Sequence, residues 1–168
     1  MVLGLLACEE LPEVYDPVKQ LAADIVTIDN YLASQGIDAV EDPSGLRYVI
    51  HVPGTGEMPT LNHCIRVTYT GKLLATGEIF ETRVESDYGT KNFMAVPLGQ
   101  FIQGWKIGLK LMPVGSSATL YIPSVLGYQN NESKDSSGKV IIPKNSNLIF
   151  EIDLLAIGLA NPATAACN

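Results

Sequence analysis

Two kinds of hydrophobic spacing divide the chain. Across residues 16–36 the apolar side chains Val18, Leu21, Ile25, Ile28 and Leu32 recur every three or four positions, the spacing of one helical face. Asp16 suits the N-cap, Pro17 the first turn, and Gly36 the left-handed conformation that ends a helix. The stripe predicts a helix that packs on the domain or, alternatively, on a second copy of the chain. From Ser44 onward, short β-branched segments alternate with Gly, Pro and Asn, with turn signals at Pro53-Gly54-Thr55-Gly56 and Thr76-Gly77. Strands are predicted over 46–52, 63–74, 79–82, 93–97, 117–122 and 147–157. The last alternates most clearly: Leu148, Phe150, Ile152 and Leu154 fall on one face, and Ile149, Glu151 and Asp153 on the other. Between 99 and 113 the residues Phe101, Ile102, Trp105 and Leu109 return to helical spacing, although Gly104 and Gly108 weaken it. A single short helix on the sheet is predicted there. Residues 129–139, rich in Asn, Ser and charge, read as a long mobile loop.

The length of 168 residues fits one domain with a short appendage. A hydrophobic share of 46% supports a core, and the net charge of -7 makes a nucleic-acid partner a poor expectation. No stretch approaches the roughly 18 apolar residues of a membrane-spanning helix. The three cysteines are too few for a disulfide scaffold, and their odd number singles one out. Leu5-Leu6-Ala7-Cys8 resembles the bacterial lipobox, in which a cysteine is lipidated on sulfur and becomes the new N-terminus. No Lys or Arg precedes Cys8, so residues 1–7 read as the remnant of a signal; the alternative is a frayed apolar terminus. Acyl chains on Cys8 would anchor the protein to a membrane of the cell envelope, facing the periplasm or exterior, with the acidic stretch 8–15 as spacer. Cys64 and Cys167 then form either a disulfide or two separate thiols.

Searches for reactive groups find little. His51 and His63 lie in predicted strands with no zinc-site spacing, so neither a metal nor a cofactor is expected. No Gly-x-Ser-x-Gly elbow occurs, and Gly71-Lys72 lacks the remainder of a phosphate loop. Glu78, Glu81 and Glu85 read as the solvated border of a hairpin. What stands out is a set of aromatic and branched residues where strands meet loops: Tyr69, Phe80, Phe101, Ile102, Trp105, Tyr128, Ile142 and Phe150.

These residues lie in blocks whose order carries a resemblance. Val67-Thr68-Tyr69-Thr70-Gly71-Lys72-Leu73-Leu74 is followed by Gly77-x-x-Phe80 and by Pro97-Leu98-Gly99-Gln100-Phe101-Ile102-Gln103-Gly104-Trp105. Downstream come Gly108-Leu109-x-x-Met112-x-Val114-Gly115, Leu120-Tyr121-Ile122-Pro123, Tyr128, Ile141-Ile142-Pro143 and Leu148-Ile149-Phe150-Glu151-Ile152-x-Leu154. The pattern resembles the FKBP-type peptidyl-prolyl cis-trans isomerases over residues 43–158. The resemblance implies an α+β fold in which an antiparallel sheet wraps one short α-helix, here preceded by a helical segment at 16–42 and followed by a tail at 159–168. It also implies that Trp105 floors the pocket, that Tyr69, Phe80, Phe101, Ile102 and Phe150 wall it, and that Tyr128 and the backbone N–H of Ile142 bind the peptide or a macrolide inhibitor. Four positions depart from the pattern. Glu81 stands where the family usually has Asp, Met94 and Val96 where aromatics are common, and Gln129 where glycine is usual.

A pocket without nucleophile or acid–base pair still suits this chemistry. The X–Pro barrier comes from amide resonance, which places charge on the carbonyl oxygen and is favoured by water. An apolar site disfavours that planar state relative to the twisted one. The expected function is isomerisation of X–Pro bonds in proline-containing polypeptides, assisting the folding of exported proteins. The alternatives are a weakly active or inactive FKBP-like chaperone or peptide-binding module, and a structural dimer formed through the 16–36 helix.

Overall fold

A computed structural model of the chain describes residues 14–89, 93–161, 164, 166 and 167. Cys8, the segment 1–7 and most of the proposed spacer lie outside the described residues. The first described element is helix α1 (Pro17–Gln35), and its ends follow the local rules. The Asp16 carboxylate accepts from the N–H groups of Val18 (2.9 Å) and Lys19 (3.2 Å), and Gly36 closes the helix at φ 63°.

The scaffold is an antiparallel sheet of β1 (Val40–Glu41), β2 (Arg47–Val52), β3 (His63–Leu73), β4 (Ile79–Arg83), β5 (Ser117–Ile122) and β8 (Leu148–Leu159), in the order β1-β2-β5-β8-β3-β4. A separate small hairpin pairs β6 (Ser133–Lys134) with β7 (Val140–Ile142). Strand β8 lies between the long partners β3 and β5, with Phe150 opposite Gly71 on one side and Leu120 on the other. Its period-2 pattern therefore sets both faces of the sheet. Leu148, Phe150, Ile152 and Leu154 enter the main core beside Ile65, Val67, Leu120 and Ile122.

Helix α2 (Gln103–Gly108) packs on this inner face, flanked by single 3-10 turns at Leu98–Gln100 and Leu109–Leu111. Gly104 and Gly108 have a packing role. A Cβ at Gly104 would lie 2.5 Å from Ile122, and one at Gly108 would lie 2.6 Å from Leu120, so glycine lets the helix approach β5 directly. Helix α1 covers the opposite face, where Ile28 and Leu32 bury against Leu74, Tyr121 and Ile149. Only the C-terminal half of its predicted stripe is sealed in this way. Val18 is exposed, while Leu21 and Ile25 lie against Gly45. Buried Arg47 adds a two-point pairing with Asp29 (2.9 and 3.2 Å).

Two sequence expectations are corrected. The 93–97 segment is not a strand: Met94 N–H reaches the Ile65 carbonyl at 2.8 Å, but the ladder does not continue, and Pro97 has no N–H to offer it. Residues 129–139 are not a structureless loop, because they rise into the β6–β7 hairpin. Its turn is organised by Asp135, which accepts from Ser137 N–H, Ser137 Oγ and Lys139 N–H at 2.8, 2.6 and 3.0 Å. The open question about the cysteines is also answered. Cys64 at the start of β3 is bonded to Cys167, with Cα atoms 5.6 Å apart, which folds the tail back onto the sheet. Among the described residues no helix is long and apolar enough to cross a membrane.

Candidate active site

The inner face of the sheet and helix α2 together assemble an aromatic cluster. Trp105, from α2, meets Tyr69 of β3 edge-on at 5.0 Å and Phe150 of β8 edge-on at 5.3 Å, while Phe101 stacks on it at 5.2 Å and 14°. Phe80 of β4 packs edge-on against Phe150 at 5.6 Å. Such offset and edge-to-face pairs add about 0.5–1.5 kcal/mol each beyond area burial, and they fix ring orientations. Gly71 makes room for this: a Cβ there would stand 2.6 Å from Phe80 and 2.9 Å from Phe150.

Beside the cluster opens a cleft of about 170 Å³ lined by Tyr69, Glu81, Met94, Phe101, Ile102, Trp105, Tyr128 and Phe150. Most of the residues singled out from sequence converge here. Two do not line it. Phe80 stands a layer behind, supporting Phe150, and Ile142 is buried in the main core while pairing with Ser133 in the β6–β7 hairpin. Met94 takes a wall position, and Val96 faces an adjoining depression with Arg83, Tyr88 and Phe93. A broader depression lies on the polar side of the sheet among Thr68, Thr119, Glu151 and Asp153; it lies beside the surface pairs Thr68–Asp153 and Lys72–Glu151.

The polar groups of the cleft are few. Burial, and after it the Glu81 carboxylate as hydrogen-bond acceptor and negative charge, push the Tyr69 phenol well above its ordinary range, against the opposing pull of the Arg83 guanidinium. Burial and then the Glu81 charge also raise Tyr128. Both phenols therefore remain protonated donors. Arg83 was not singled out from sequence, yet the i, i+2 rule of a strand places it on the same side of β4 as Glu81. Two further donors are unused: among the described residues neither Trp105 Nε1–H, in a side chain 3% exposed, nor the backbone N–H of Ile102 has an acceptor. Ile102 immediately precedes α2, where helix geometry leaves N–H groups unpaired. His51 and His63 stand elsewhere, against Thr119 Oγ1 (2.8 Å) and the Thr60 N–H (3.3 Å). No group of three metal-ligating side chains assembles among the described residues.

An antiparallel sheet closed over a short helix, with an aromatic-floored cleft between them, defines the class of fold. Residues 56–155 match the family model described as FKBP-type peptidyl-prolyl cis-trans isomerase, and the chain belongs to this family. It is 36% identical over 133 residues to the FKBP-type peptidyl-prolyl cis-trans isomerase FkpA of Aeromonas hydrophila, covering 77% of this chain and 45% of that protein. The 22 kDa FKBP-type isomerase of Escherichia coli is 33% identical over 157 residues, covering 90% of this chain and 70% of its own length. Among solved structures, a peptidyl-prolyl cis-trans isomerase from Pseudomonas syringae superposes with a TM-score of 0.65 at 27% identity, covering 88% of this chain and 99% of the other. The chain thus spans less than half of the Aeromonas relative.

Proposed function

We propose that this chain catalyses cis–trans isomerisation of X–Pro peptide bonds in unfolded or partly folded polypeptides, and that it assists the folding of exported proteins. The observation that carries the reading is the cleft in which Trp105 is surrounded by Tyr69, Met94, Phe101, Ile102 and Phe150, with Glu81 and Tyr128 among its few polar groups. A proline ring seated on Trp105 between Tyr69, Phe101 and Phe150 leaves water behind. The planar amide, with its charge-separated resonance, then loses more solvation than the twisted transition state, so the barrier of about 18–20 kcal/mol falls without a nucleophile. The Tyr128 hydroxyl and the unpaired Ile102 N–H hold the peptide carbonyls and orient the twist. Ile102 takes the role expected of the Ile142 N–H, because Ile142 does not line the cleft. The same apolar floor and rim donors suit a macrolide inhibitor.

In this reading residues 43–158 form the catalytic domain and 16–42 a helical segment outside it. Cys8 carries a lipid that holds the protein at a membrane of the cell envelope through the spacer 8–15. The Cys64–Cys167 bridge supports an oxidising, extracytoplasmic setting.

A protease-coupled assay on a proline tetrapeptide tests the activity. Micromolar protein is expected to accelerate isomerisation, and Tyr128→Phe to lower kcat/KM. Binding of unfolded chains without acceleration would instead mark a chaperone or peptide-binding module. The intact mass of membrane-extracted protein tests the anchor, which predicts cleavage before Cys8 and an added lipid.

A further inference from the structure

A carboxylate sits in the middle of the buried face of α1, where the stripe calls for an apolar residue. Asp24 is 2% exposed. A buried carboxylate is tolerated when its oxygens are fully engaged, and here both are. Oδ1 accepts from Gln20 Nε2 at 2.8 Å, and Oδ2 accepts from Ser124 Oγ at 2.6 Å and from Val125 N–H at 3.4 Å.

Ser124 opens the 3-10 turn Ser124–Leu126, whose N-cap, Pro123, provides no side-chain cap. The missing caps come from distant elements: Asn147 Oδ1 accepts the Ser124 N–H at 2.9 Å, and Asp24 takes the hydroxyl and the next N–H. The Ser124 carbonyl in turn accepts from Gly127 N–H (2.9 Å) and Gln129 N–H (2.8 Å), the groups at either side of Tyr128. Gln129 is held at φ 57°, in the left-handed region, and its carbonyl accepts from Asn145 N–H at 2.9 Å. A chain of contacts therefore runs from α1, through the turn that follows β5, to the backbone that carries Tyr128 of the cleft.

We propose that Asp24 is a positioning residue: through Ser124, helix α1 sets where the Tyr128 hydroxyl stands in the cleft. The helix that precedes the family's domain thereby tunes turnover without touching the peptide. The inference rests on the proposed role of Tyr128.

The test is kcat/KM on a proline tetrapeptide for Asp24→Ala, Ser124→Ala, Tyr128→Phe and the pairs that combine each alanine with Tyr128→Phe, at a temperature where circular dichroism shows every variant folded. Asp24→Ala and Ser124→Ala are each expected to lower kcat/KM by about tenfold, as displaced catalytic groups do. Asp24→Asn, which keeps an acceptor for Ser124, is expected to recover most of the rate. In the Tyr128→Phe background neither alanine should cost more than about twofold, since the hydroxyl they position is gone. Should Asp24→Ala fail to fold, Ser124→Ala carries the test, because it leaves the carboxylate paired with Gln20. Wild-type rates in Asp24→Ala and Ser124→Ala, or an equal loss with and without Tyr128, would overturn the proposal. If Tyr128→Phe alone keeps the wild-type rate, the cleft reading of Tyr128 fails first and the positioning role fails with it.

Discussion

The two helices pack on opposite faces of one sheet and obey different rules. Helix α1 follows local ones: an aspartate cap, a proline in the first turn, a glycine stop and an apolar stripe that meets Leu74, Tyr121 and Ile149. Helix α2 breaks them. It spans six residues, has no side-chain cap and contains glycine at positions where a helix former would be intrinsically better. Those glycines bring its backbone onto Ile122 and Leu120 and set Trp105 against Tyr69 and Phe150. Along α1 local preference is kept except at the buried Asp24; in α2, which must set Trp105 into the aromatic cluster, preference yields to packing throughout.

Substitutions can break this contrast in order of size. Trp105→Ala should cost about 3–5 kcal/mol in urea unfolding, the usual range for an aromatic removed from a core, and should abolish acceleration of X–Pro isomerisation. A milder outcome, with activity retained, would mean that the cluster is not the floor of the site. Gly104→Val should cost about 1–3 kcal/mol, the range for overpacking, with a loss of activity larger than its stability change explains because the helix moves off β5. On the other face, Asp16→Ala should cost about 1 kcal/mol, a typical N-cap loss, and leave kcat/KM unchanged at temperatures where the protein stays folded. An activity loss equal to that of Gly104→Val would erase the distinction between the helices.

The smallest effect expected is that of pH on activity. Burial and Glu81 raise the Tyr69 and Tyr128 phenols, so kcat/KM should show no inflection near pH 10, about where a free tyrosine ionises. Stability responds with the opposite emphasis. A phenol whose folded pKa is raised contributes fully below the unfolded value of about 10 and loses that contribution as pH climbs beyond it. Denaturation midpoints should therefore decline above about pH 10, and a midpoint that rose there would contradict the burial of these phenols.

The same contrast explains what could be read from sequence. The ends of α1 were legible because caps act within a turn of the chain, and β8 was legible because one strand with one buried face alternates strictly. Tyr69, Phe101, Trp105, Tyr128 and Phe150 stand out in sequence as aromatics where strands meet loops, but their grouping into one cleft is implied by the family resemblance and not by their spacing; the structure lines one cleft with all five. Features that depend on distant partners were not legible. The Cys64–Cys167 bridge joins positions 103 residues apart, and Asp24 meets Ser124 across 100 residues, so neither pairing leaves a local signature. The β6–β7 hairpin escaped because strands of two or three residues carry no readable period. Gly104 and Gly108 were misread as weaknesses because their value lies in what a Cβ would strike, and that appears only once β5 is in place.

The central claim is that the aromatic cleft floored by Trp105 lowers the X–Pro barrier by itself. It is tested most directly by exchange spectroscopy on a proline peptide at equilibrium, with substoichiometric protein and no protease. Cis and trans resonances should exchange far faster than the unaided time of about 10–100 s, and the acceleration should vanish in Trp105→Ala. Unaccelerated exchange with the wild-type protein, despite peptide binding seen as a change in Trp105 fluorescence, would contradict the account.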